Sequence, residues 1–399
     1  MNTILFDGPE WSELLPLTYT RPISEIRCGI LTITDKWNTL LGAEVSYATK
    51  SYLSEKFKVQ VESENLFIAG NTLPNESLIK AIDSLTIDQC LVNGDSVIAF
   101  NCKEELANDK VQQISKGKLD TSNFEKVEFS SELDSINQSW DIFQKTGDEI
   151  KNDIELLGLK ANGEEYKTEN TIFGNEVYIE EGAKIRGAIL NSDEGPIHIG
   201  KDAEIMEGSV IRGPFTLGEH STIKMVSKIY GPTTIGPHCK VGGEVTNIVM
   251  FAYSNKGHDG FIGNSVIGEW CNFGADTNSS NLKNNYSPVR VWNYNTEDME
   301  ETGLQFCGLI AGDHCKTGIN TMLNTATVMG VCSNVFGAGF PPKFIPSFSW
   351  GGAKRMVSFK IEKAYEVAEN MMKRRGLSLS MEDKKIFQHI FISDSLYRK

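Results

Sequence analysis

The chain has 399 residues, of which 40% are hydrophobic and 23% are charged, as in an ordinary globular protein of two or three domains. Its net charge of −14 argues against nucleic acid as a partner, because phosphate backbones are bound by basic surfaces. No run reaches the ~18 apolar residues of a membrane span, and no basic, apolar leader opens the chain, so we expect a cytoplasmic protein without a membrane partner. The eight cysteines form no C-x-x-C pair, which favours reduced thiols.

Residues 1–138 have the pattern of an α/β domain. Short apolar runs at residues 3–6, 66–69, 89–92 and 96–100 predict strands, and residues 75–84 predict a helix that Pro74 opens. Residues 106–135 are polar with little periodicity, which predicts a surface loop. A helical connector should occupy residues 139–167, with an interruption near Gly147.

Residues 168–350 carry a repeat that neither an α-helix nor a single strand produces. Eight aliphatic residues stand six apart, namely Ile199, Ile205, Ile211, Leu217, Ile223, Ile229, Ile235 and Val241. A period of six predicts a parallel β-solenoid, in which each flat face turns one side chain inward. The same phase is expected to resume at Phe261, Ile267 and Phe273, and again at Ala311, Thr317, Leu323, Met329 and Val335. Breaks at residues 247–259 and 278–303 predict loops, where binding chemistry is usually found.

Residues 351–399 predict two helices. Apolar residues recur at helical spacing between Ile361 and Met372, and Gly376 is placed to end that helix. Ser380 and Asp383 have the spacing of a capping box that starts the second helix.

The segment GHDGFIGNSVIGEWCNFGADTNSSN, residues 257–281, resembles the acetyltransferase half of the bifunctional UDP-N-acetylglucosamine pyrophosphorylase/glucosamine-1-phosphate acetyltransferases. That resemblance implies a left-handed parallel β-helix of hexapeptide repeats, acetyl-CoA as donor, and a homotrimer with active sites between the chains. His258 falls on the family's catalytic histidine, and an imidazole suits the removal of a proton from an attacking amine. The alternative for His258 is a polar turn residue, since His-Asp-Gly is also a turn sequence.

Substrate-binding residues follow from the same resemblance. Asn272 and Asn281 fall on family asparagines that hold the sugar, although either could be a corner asparagine. Phe261 and Thr246 replace a tyrosine and a lysine that bind the sugar phosphate in the family, so other cations must serve. Lys283 and Arg290 are the preferred pair, with solvated surface charge as the alternative; the other available cations are Lys224, Lys228 and Lys256. The donor is expected near Ala311, Thr317 and Ala326.

Residues 14–37, LLPLTYTRPISEIRCGILTITDKW, resemble the P-L-T-x-T-R-P segment of sugar-1-phosphate nucleotidyltransferases. The family's glycine-rich phosphate loop is absent, and Asp7-Gly8-Pro9-Glu10 stands in its place. Arg21, Arg27 and Lys36 are then the candidates for binding nucleotide phosphates, with a solvated helix residue as the alternative for Lys36. Asp95, in Asn93-Gly94-Asp95, falls on a family aspartate that holds Mg²⁺, but this tripeptide is also a common turn.

The order of these segments is similar to that of the Bacteroidetes-type bifunctional family, in which a divergent nucleotidyltransferase-like domain precedes a β-helix acetyltransferase. The resemblance implies N-acetylation of glucosamine 1-phosphate by acetyl-CoA and uridylyl transfer from UTP, which supply a cell-wall precursor. Two alternatives remain open. One is an acyltransferase for another amino sugar or sugar nucleotide with an inactive or nucleotide-sensing N-terminal domain, and the other is a non-catalytic trimeric scaffold.

Overall fold

The computed structural model of the protein describes residues 2–398. The chain divides into two compact units, each described by itself below. The first comprises residues 1–14, 20–26 and 31–138, and the second comprises residues 15–19, 27–30 and 139–399.

The first unit is built on a six-stranded mixed sheet with the strand order β2-β1-β3-β5-β4-β6. Its strands are β1 (Asn2–Phe6), β2 (Ser46–Ala48), β3 (Glu64–Ala69), β4 (Gln89–Asn93), β5 (Ser96–Lys103) and β6 (Glu125–Glu128). Its helices are α1 (Glu10–Glu13), α2 (Ile33–Leu41), α3 (Glu76–Asp83) and α4 (Glu104–Ser115). Strand β5 runs antiparallel to β3 and β4, whereas the other pairings are parallel.

The prediction of a loop over residues 106–135 is wrong, because α4 and β6 lie there. Ala107 and Ile114 face the core beside Phe100 and Phe124. Lys110 covers the same helix face, with 1% of its surface exposed. A helix that buries a lysine stem together with so few apolar residues has too weak a periodicity to be recognised from its sequence.

In the second unit, helix α5 (Asp141–Leu156) runs without a break through Gly147, contrary to the expected interruption. A Cβ at Gly147 would lie 2.9 Å from the Cβ of Pro232. The glycine therefore permits close packing of α5 on the solenoid and does not end the helix.

The solenoid is a three-faced parallel β-helix, which confirms the predicted fold class. One face contains the strands Thr171–Phe173, Ile189–Asn191, Val210–Arg212, Lys228–Tyr230, Asn278–Ser279, Met322–Leu323 and the first halves of Glu244–Met250 and Phe261–Ile267. The second contains Val177–Ile179, Ile197–Ile199, Phe215–Leu217, Thr233–Ile235, the second halves of those two long strands, Ile310–Ala311, Val328–Met329 and Phe344–Ile345. The third contains Lys184–Ile185, Glu204–Ile205, Thr222–Ile223, Lys240–Val241, Asn255–Lys256, Asn272–Phe273, Lys316–Thr317, Asn334–Val335 and Ser349–Gly352.

All eight residues of the main aliphatic series are buried in the solenoid core, as predicted, and so are the five from Ala311 to Val335. Phe261 is the exception. It pairs with the outward-facing Glu244, and its neighbour Ile262 points inward beside Val245. The phase changes because Val245 follows Val241 after four residues instead of six, so the corner between them is short.

An insertion leaves the solenoid after Ser279 and returns before Ile310. It contains the antiparallel strands Arg290–Asn293 and Asp298–Glu301. The carbonyl of Asn281 accepts a hydrogen bond from the N–H of Cys307 at 2.9 Å, which closes the base of the insertion.

The last coil ends in an antiparallel pairing of Ser349–Gly352 with Arg355–Ser358. Helices α6 (Ile361–Lys373) and α7 (Met381–Ser393) follow, and Gly376 adopts a φ of +73° after α6. Ser380 and Asp383 form the predicted capping box of α7. Among residues 2–398, no helix combines the length and apolar character needed to cross a membrane.

Candidate functional site

A groove of about 740 Å³ lies on the third face of the β-helix. Its floor is formed by outward-facing residues of adjacent coils, since Lys240 pairs with Asn255, Asn255 with Asn272, and Asn272 with Lys316. Because strands in such a sheet are ~4.8 Å apart, these four side chains form a continuous polar row across the coils.

His258 lies at one edge of this groove, at the corner that follows the strand Asn255–Lys256. Its imidazole is exposed, and within residues 2–398 no side chain holds either ring nitrogen. Its backbone carbonyl is fixed by the Nζ of Lys256, which donates a hydrogen bond at 2.5 Å. A base in this position is accessible to a substrate lying on the polar row.

Cations also line the groove. Lys224 and Lys240 come from the solenoid, and Arg374 and Arg375 follow the end of α6. Arg375 donates a hydrogen bond to the carbonyl of His238 at 3.1 Å, which ties the end of the helix to a coil corner. Burial lowers the pKa of Lys240, and the positive charges of Arg375, Lys224 and Arg374 lower it further, against a smaller opposing effect of Glu204.

Aromatic rings form a further part of the groove lining. Tyr253 and Trp270 line the groove and stack on each other, with centroids 4.3 Å apart and an interplanar angle of 4°. They belong to a longer column along one corner, which runs through His220, His238, Tyr253, Trp270 and His314. All five residues have positive φ, so each coil turns this corner in the same left-handed conformation.

Three further candidates from the sequence lie away from the groove. Asn281 donates to Oδ1 of Asn264 at 2.7 Å, at the base of the insertion. Within the insertion, the Nζ of Lys283 donates to Oγ of Ser287 at 3.4 Å, and the Arg290 guanidinium donates to the carbonyl of Met299. The structure therefore brings His258 and Asn272 together but not these three, whose substrate-binding roles stay predictions.

The three residues expected near the acyl donor are turned inward. Ala311 and Ala326 are fully buried and Thr317 is 7% exposed, so none of them offers a surface to a ligand. The accessible surface of the later coils is instead an apolar cleft of about 650 Å³, lined by Phe336, Trp350, Gly352 and neighbouring residues. Trp350 pairs with Asn334, which pairs with Lys316, so this cleft continues the face that carries the polar row.

The nucleotide-binding candidates are divided between the two units. In the first unit, Arg21 and Lys36 are 5% and 1% exposed, so neither is a solvated surface cation. Arg27 belongs to the second unit, where its guanidinium donates to the carbonyl of Ile30. Their phosphate-binding roles stay predictions.

The segment that stands in place of a glycine-rich loop is fixed by Asp7, at the end of β1. The Asp7 carboxylate accepts hydrogen bonds from Oγ1 of Thr49 at 2.5 Å and from the N–H of Ile23 at 2.8 Å. Complete burial raises its pKa to about 6, although both hydrogen bonds oppose the shift. Asp7 thus ties the end of β1 to the backbone at Ile23 and to the side chain of Thr49.

Asp95 is exposed in the two-residue turn between β4 and β5, where Asn93 pairs with Ser96. Within residues 2–398, no group of three or more histidine, cysteine, aspartate or glutamate side chains could hold a metal ion. The Glu128 carboxylate lies beside this turn, where it accepts a hydrogen bond from the N–H of Gly94 at 2.9 Å. The role of Asp95 in holding Mg²⁺ stays a prediction.

Comparison with known proteins identifies the N-terminal region first. Residues 3–161 match the family model described as "Sugar nucleotidyl transferase". This region is therefore similar to sugar nucleotidyltransferases. The "Bifunctional sugar-1-phosphate nucleotidylyltransferase/acetyltransferase" of Sulfurisphaera tokodaii is 25% identical over 323 residues, which cover 77% of this chain and 69% of that protein. These matches confirm the predicted resemblance and the prediction of a transferase.

Other relatives match over shorter segments. The "Bifunctional protein GlmU" of Methanocaldococcus jannaschii is 32% identical over 22% of this chain, and that of Methanococcus aeolicus is 29% identical over 30%. The chain spans only 21% and 25% of the lengths of these two relatives.

Among solved structures, an Arabidopsis UDP-N-acetylglucosamine acyltransferase overlaps 57% of this chain and 90% of its own, with 13% identity and a TM-score of 0.27. AntD, an N-acyltransferase from Bacillus cereus solved in complex with dTDP and 3-hydroxybutyryl-CoA, overlaps 55% of this chain and 98% of its own, with 14% identity and a TM-score of 0.21. Overlaps at this level do not bear on function.

Sequence reasoning misses Lys240, Tyr253, Trp270, Arg374 and Arg375, all of which line the groove. The two arginines stand more than a hundred residues from His258, so only the packing of α6 on the solenoid reveals them. One signal is available in the sequence: Lys240 and Asn255 stand one residue before an inward position, as Asn272 does, which places them on the outer face of the same sheet.

Proposed function

We propose that the β-helix transfers an acetyl group from acetyl-CoA to the amine of a sugar phosphate, with His258 as general base. The observation that carries this proposal is that His258 and Asn272 line one groove. An attacking amine must lose a proton as the amide forms, and an imidazole on the open edge of the groove can accept it. Asn272 follows Asn255 on the polar row, one strand further along the same face, and is placed to hold the sugar.

The donor is proposed to extend from this groove along the later coils. The exposed apolar side chains of Ile319, Phe336 and Trp350 follow one another on that face and would cover the pantetheine arm.

For the N-terminal domain we propose nucleotidyl transfer from UTP to the acetylated sugar phosphate, with Arg21, Arg27 and Lys36 as phosphate-binding candidates. The match of residues 3–161 supports this reaction class. The absence of a glycine-rich loop and the internal hydrogen bonds of Asp7 favour the alternative, a domain that binds a nucleotide without turnover. Glucosamine 1-phosphate, acetyl-CoA and UTP are the proposed substrates, and a homotrimer is the proposed assembly.

The test is to incubate the full chain with glucosamine 1-phosphate, acetyl-CoA, UTP and Mg²⁺, and to measure thiol release and pyrophosphate release separately. His258→Ala should lower thiol release by ~10²–10⁴-fold, because a positioned general base contributes about that much. Since the side chain is exposed, the melting temperature should be nearly unchanged. The loss should shrink at high pH, where the acceptor amine is already neutral. Wild-type turnover in this variant, or a loss that follows unfolding, would reject His258 as the base.

A further inference from the structure

Among the described residues, four cations line the groove without an anionic partner. Among the described residues, no carboxylate lies within 4.0 Å of the side-chain nitrogens of Lys224, Lys240, Arg374 or Arg375. The chain as a whole carries a net charge of −14, so this concentration of positive charge is not a consequence of composition. Like charges held together are unfavourable unless an anion joins them.

The helix end explains only part of this arrangement. Arg374 and Arg375 follow the last turn of α6, where cations interact favourably with the helix dipole. That effect would be obtained with the side chains in solvent. Both arginines are exposed, yet they also line the groove, and Arg375 donates a hydrogen bond to the carbonyl of His238. Burial and the nearby His220 lower the pKa of the adjacent His238, and Arg375 lowers it further, against an opposing effect of Glu219.

We propose that Lys224, Lys240, Arg374 and Arg375 bind a phosphate group of a substrate whose reacting atom lies at His258. This proposal rests on the proposed acetyl transfer and adds a phosphate subsite to it. Arginine suits the role because its planar fork of donors matches phosphate oxygens. Both substrates of the reaction carry such a group, namely the 1-phosphate of the sugar and the 3′-phosphate of acetyl-CoA, which acetyl-dephospho-CoA lacks, so the experiment must distinguish them.

The test compares the full-length Arg374→Gln/Arg375→Gln variant with wild type and with Lys373→Gln, a matched control on the same helix end that does not line the groove. KM is measured for acetyl-CoA, acetyl-dephospho-CoA, glucosamine 1-phosphate and glucosamine. In the double variant, KM should rise tenfold or more for one phosphate-bearing substrate and stay unchanged for its counterpart without that phosphate, with kcat nearly constant. Which pair responds identifies the phosphate.

The proposal is overturned if no KM changes, if substrates with and without phosphate respond equally, or if Lys373→Gln has the same effect. Should wild type show no acetyl transfer, the proposed function fails, and calorimetry with coenzyme A and with glucosamine 1-phosphate still decides the subsite. If wild type binds one of these two ligands and the double variant does not, the phosphate subsite is supported. If wild type binds neither ligand, the phosphate subsite is rejected.

A second inference comes from an independent observation, a lysine inside the aliphatic core. Lys256 pairs in register with Val241, which points inward, and it is only 2% exposed. Ile205, Ile223 and Val241 occupy the same inward position in the preceding coils, and Phe273 is the inward residue of the next strand. An ammonium group in such surroundings is costly unless it is paired. Its one hydrogen bond goes to the carbonyl of His258.

We infer that Lys256 is a positioning residue, which fixes the backbone at His258 so that the imidazole stays at the groove edge. Methionine has nearly the same length and fits an apolar core, so Lys256→Met should keep or raise the melting temperature. It should nevertheless lower kcat at least tenfold, with little change in KM. In a His258→Ala background, the same substitution should have no further effect, because the group that it positions is gone.

Turnover in a Lys256→Gln variant distinguishes a positioning role of Lys256 from a merely structural role. Its amide can still donate a hydrogen bond, so it should keep more turnover than Lys256→Met at equal or lower stability. The inference is rejected if Lys256→Met has wild-type kcat, if the kcat of both variants falls in proportion to their melting temperatures, or if the effect persists unchanged without His258.

Discussion

Gly257 lies between the inward-facing Lys256 and the exposed His258, and a Cβ built on it would meet no atom within 4 Å. It lines the groove, so a methyl group there would project into space that a substrate must occupy. Its φ is not in the left-handed region, which means that alanine can adopt the same backbone. Glycine is therefore used here for access to the groove.

Gly257→Ala should leave the free energy of unfolding unchanged or raise it by about 0.4–1 kcal/mol, because alanine restricts the unfolded chain. KM for the acceptor should rise, since the added methyl narrows the groove. Gly274→Ala is the matched control in the next coil, where a Cβ would lie 2.5 Å from the backbone carbon of Gly318 and should destabilise the fold. Denaturant unfolding and steady-state kinetics on both variants check these two expectations. An unchanged KM in Gly257→Ala would show that the substrate does not lie against Gly257.

The titration of Lys256 gives a second testable consequence. Burial lowers its pKa to about 8, whereas Asp259 and Asp276 act in the opposite direction. Because the pKa of Lys256 is lower in the folded state than in the unfolded state, the folded protein binds fewer protons at this side chain between pH 8 and about 10.5. The contribution of Lys256 to the free energy of unfolding therefore rises with pH across this range. Relative to Lys256→Met, wild type should gain about 2 kcal/mol of unfolding free energy from pH 8 to pH 10. Urea titrations of the two proteins at several pH values measure this difference. The same dependence of unfolding free energy on pH in both proteins would contradict the lowered pKa of Lys256.

How far the sequence predicts the site depends on the distance along the chain. His258 and Asn272 belong to one motif of 25 residues, so local resemblance is enough to identify both as candidates. Lys283 and Arg290 follow that motif in the sequence, yet their own insertion holds them. Arg374 and Arg375 depend on the packing of a distant helix, for which no local pattern exists.

The helices and strands show the same contrast. The aliphatic series from Ile199 to Val241 predicts the inward positions without error, because every coil repeats one geometry. Helix α5 could not be predicted as continuous, since Gly147 is a breaker by propensity and only its contact with Pro232 explains its place in a helix. Helix α4 escapes prediction because its buried face has few apolar residues and includes Lys110.

The capping box of α7 allows a direct test of one helix. Oγ of Ser380 accepts the N–H of Asp383 at 3.0 Å, and the Asp383 carboxylate accepts the N–H of Ser380 at 3.2 Å. Ser380→Ala should lower stability by about 1 kcal/mol, as is typical for the loss of an N-cap. Ser393→Ala is a suitable control, because that residue lies at the opposite end of α7. Thermal unfolding of both variants decides it, and equal midpoints would mean that the cap contributes nothing.

The solenoid also carries large apolar side chains that are exposed to solvent in the single chain. Met225 and Val226 are 59% and 71% exposed. Val226 has a φ of +58°, which is unfavourable for a β-branched residue, so this surface is kept at a conformational cost. Contacts with neighbouring copies in the proposed homotrimer would cover such side chains.

Sedimentation of the full chain at micromolar concentration should therefore give a trimer. Val226→Asp should shift the distribution toward monomer, because a carboxylate would be buried without a partner at the contact. Val210→Asp, at another partly exposed valine of the solenoid, controls for added charge. A stable wild-type monomer would exclude the assembly and any site shared between chains.

The insertion between Ser279 and Ile310 has a consequence for how such a protein changes over generations. The chain leaves and re-enters the stack at one point, where Asn281 and Cys307 are hydrogen-bonded, so the coils on either side pair as if nothing intervened. Doubling the length of a flexible loop whose ends are already joined costs only about 0.6 kcal/mol. New sequence can therefore be inserted at this position by duplication or recombination, and the stacked coils remain undisturbed.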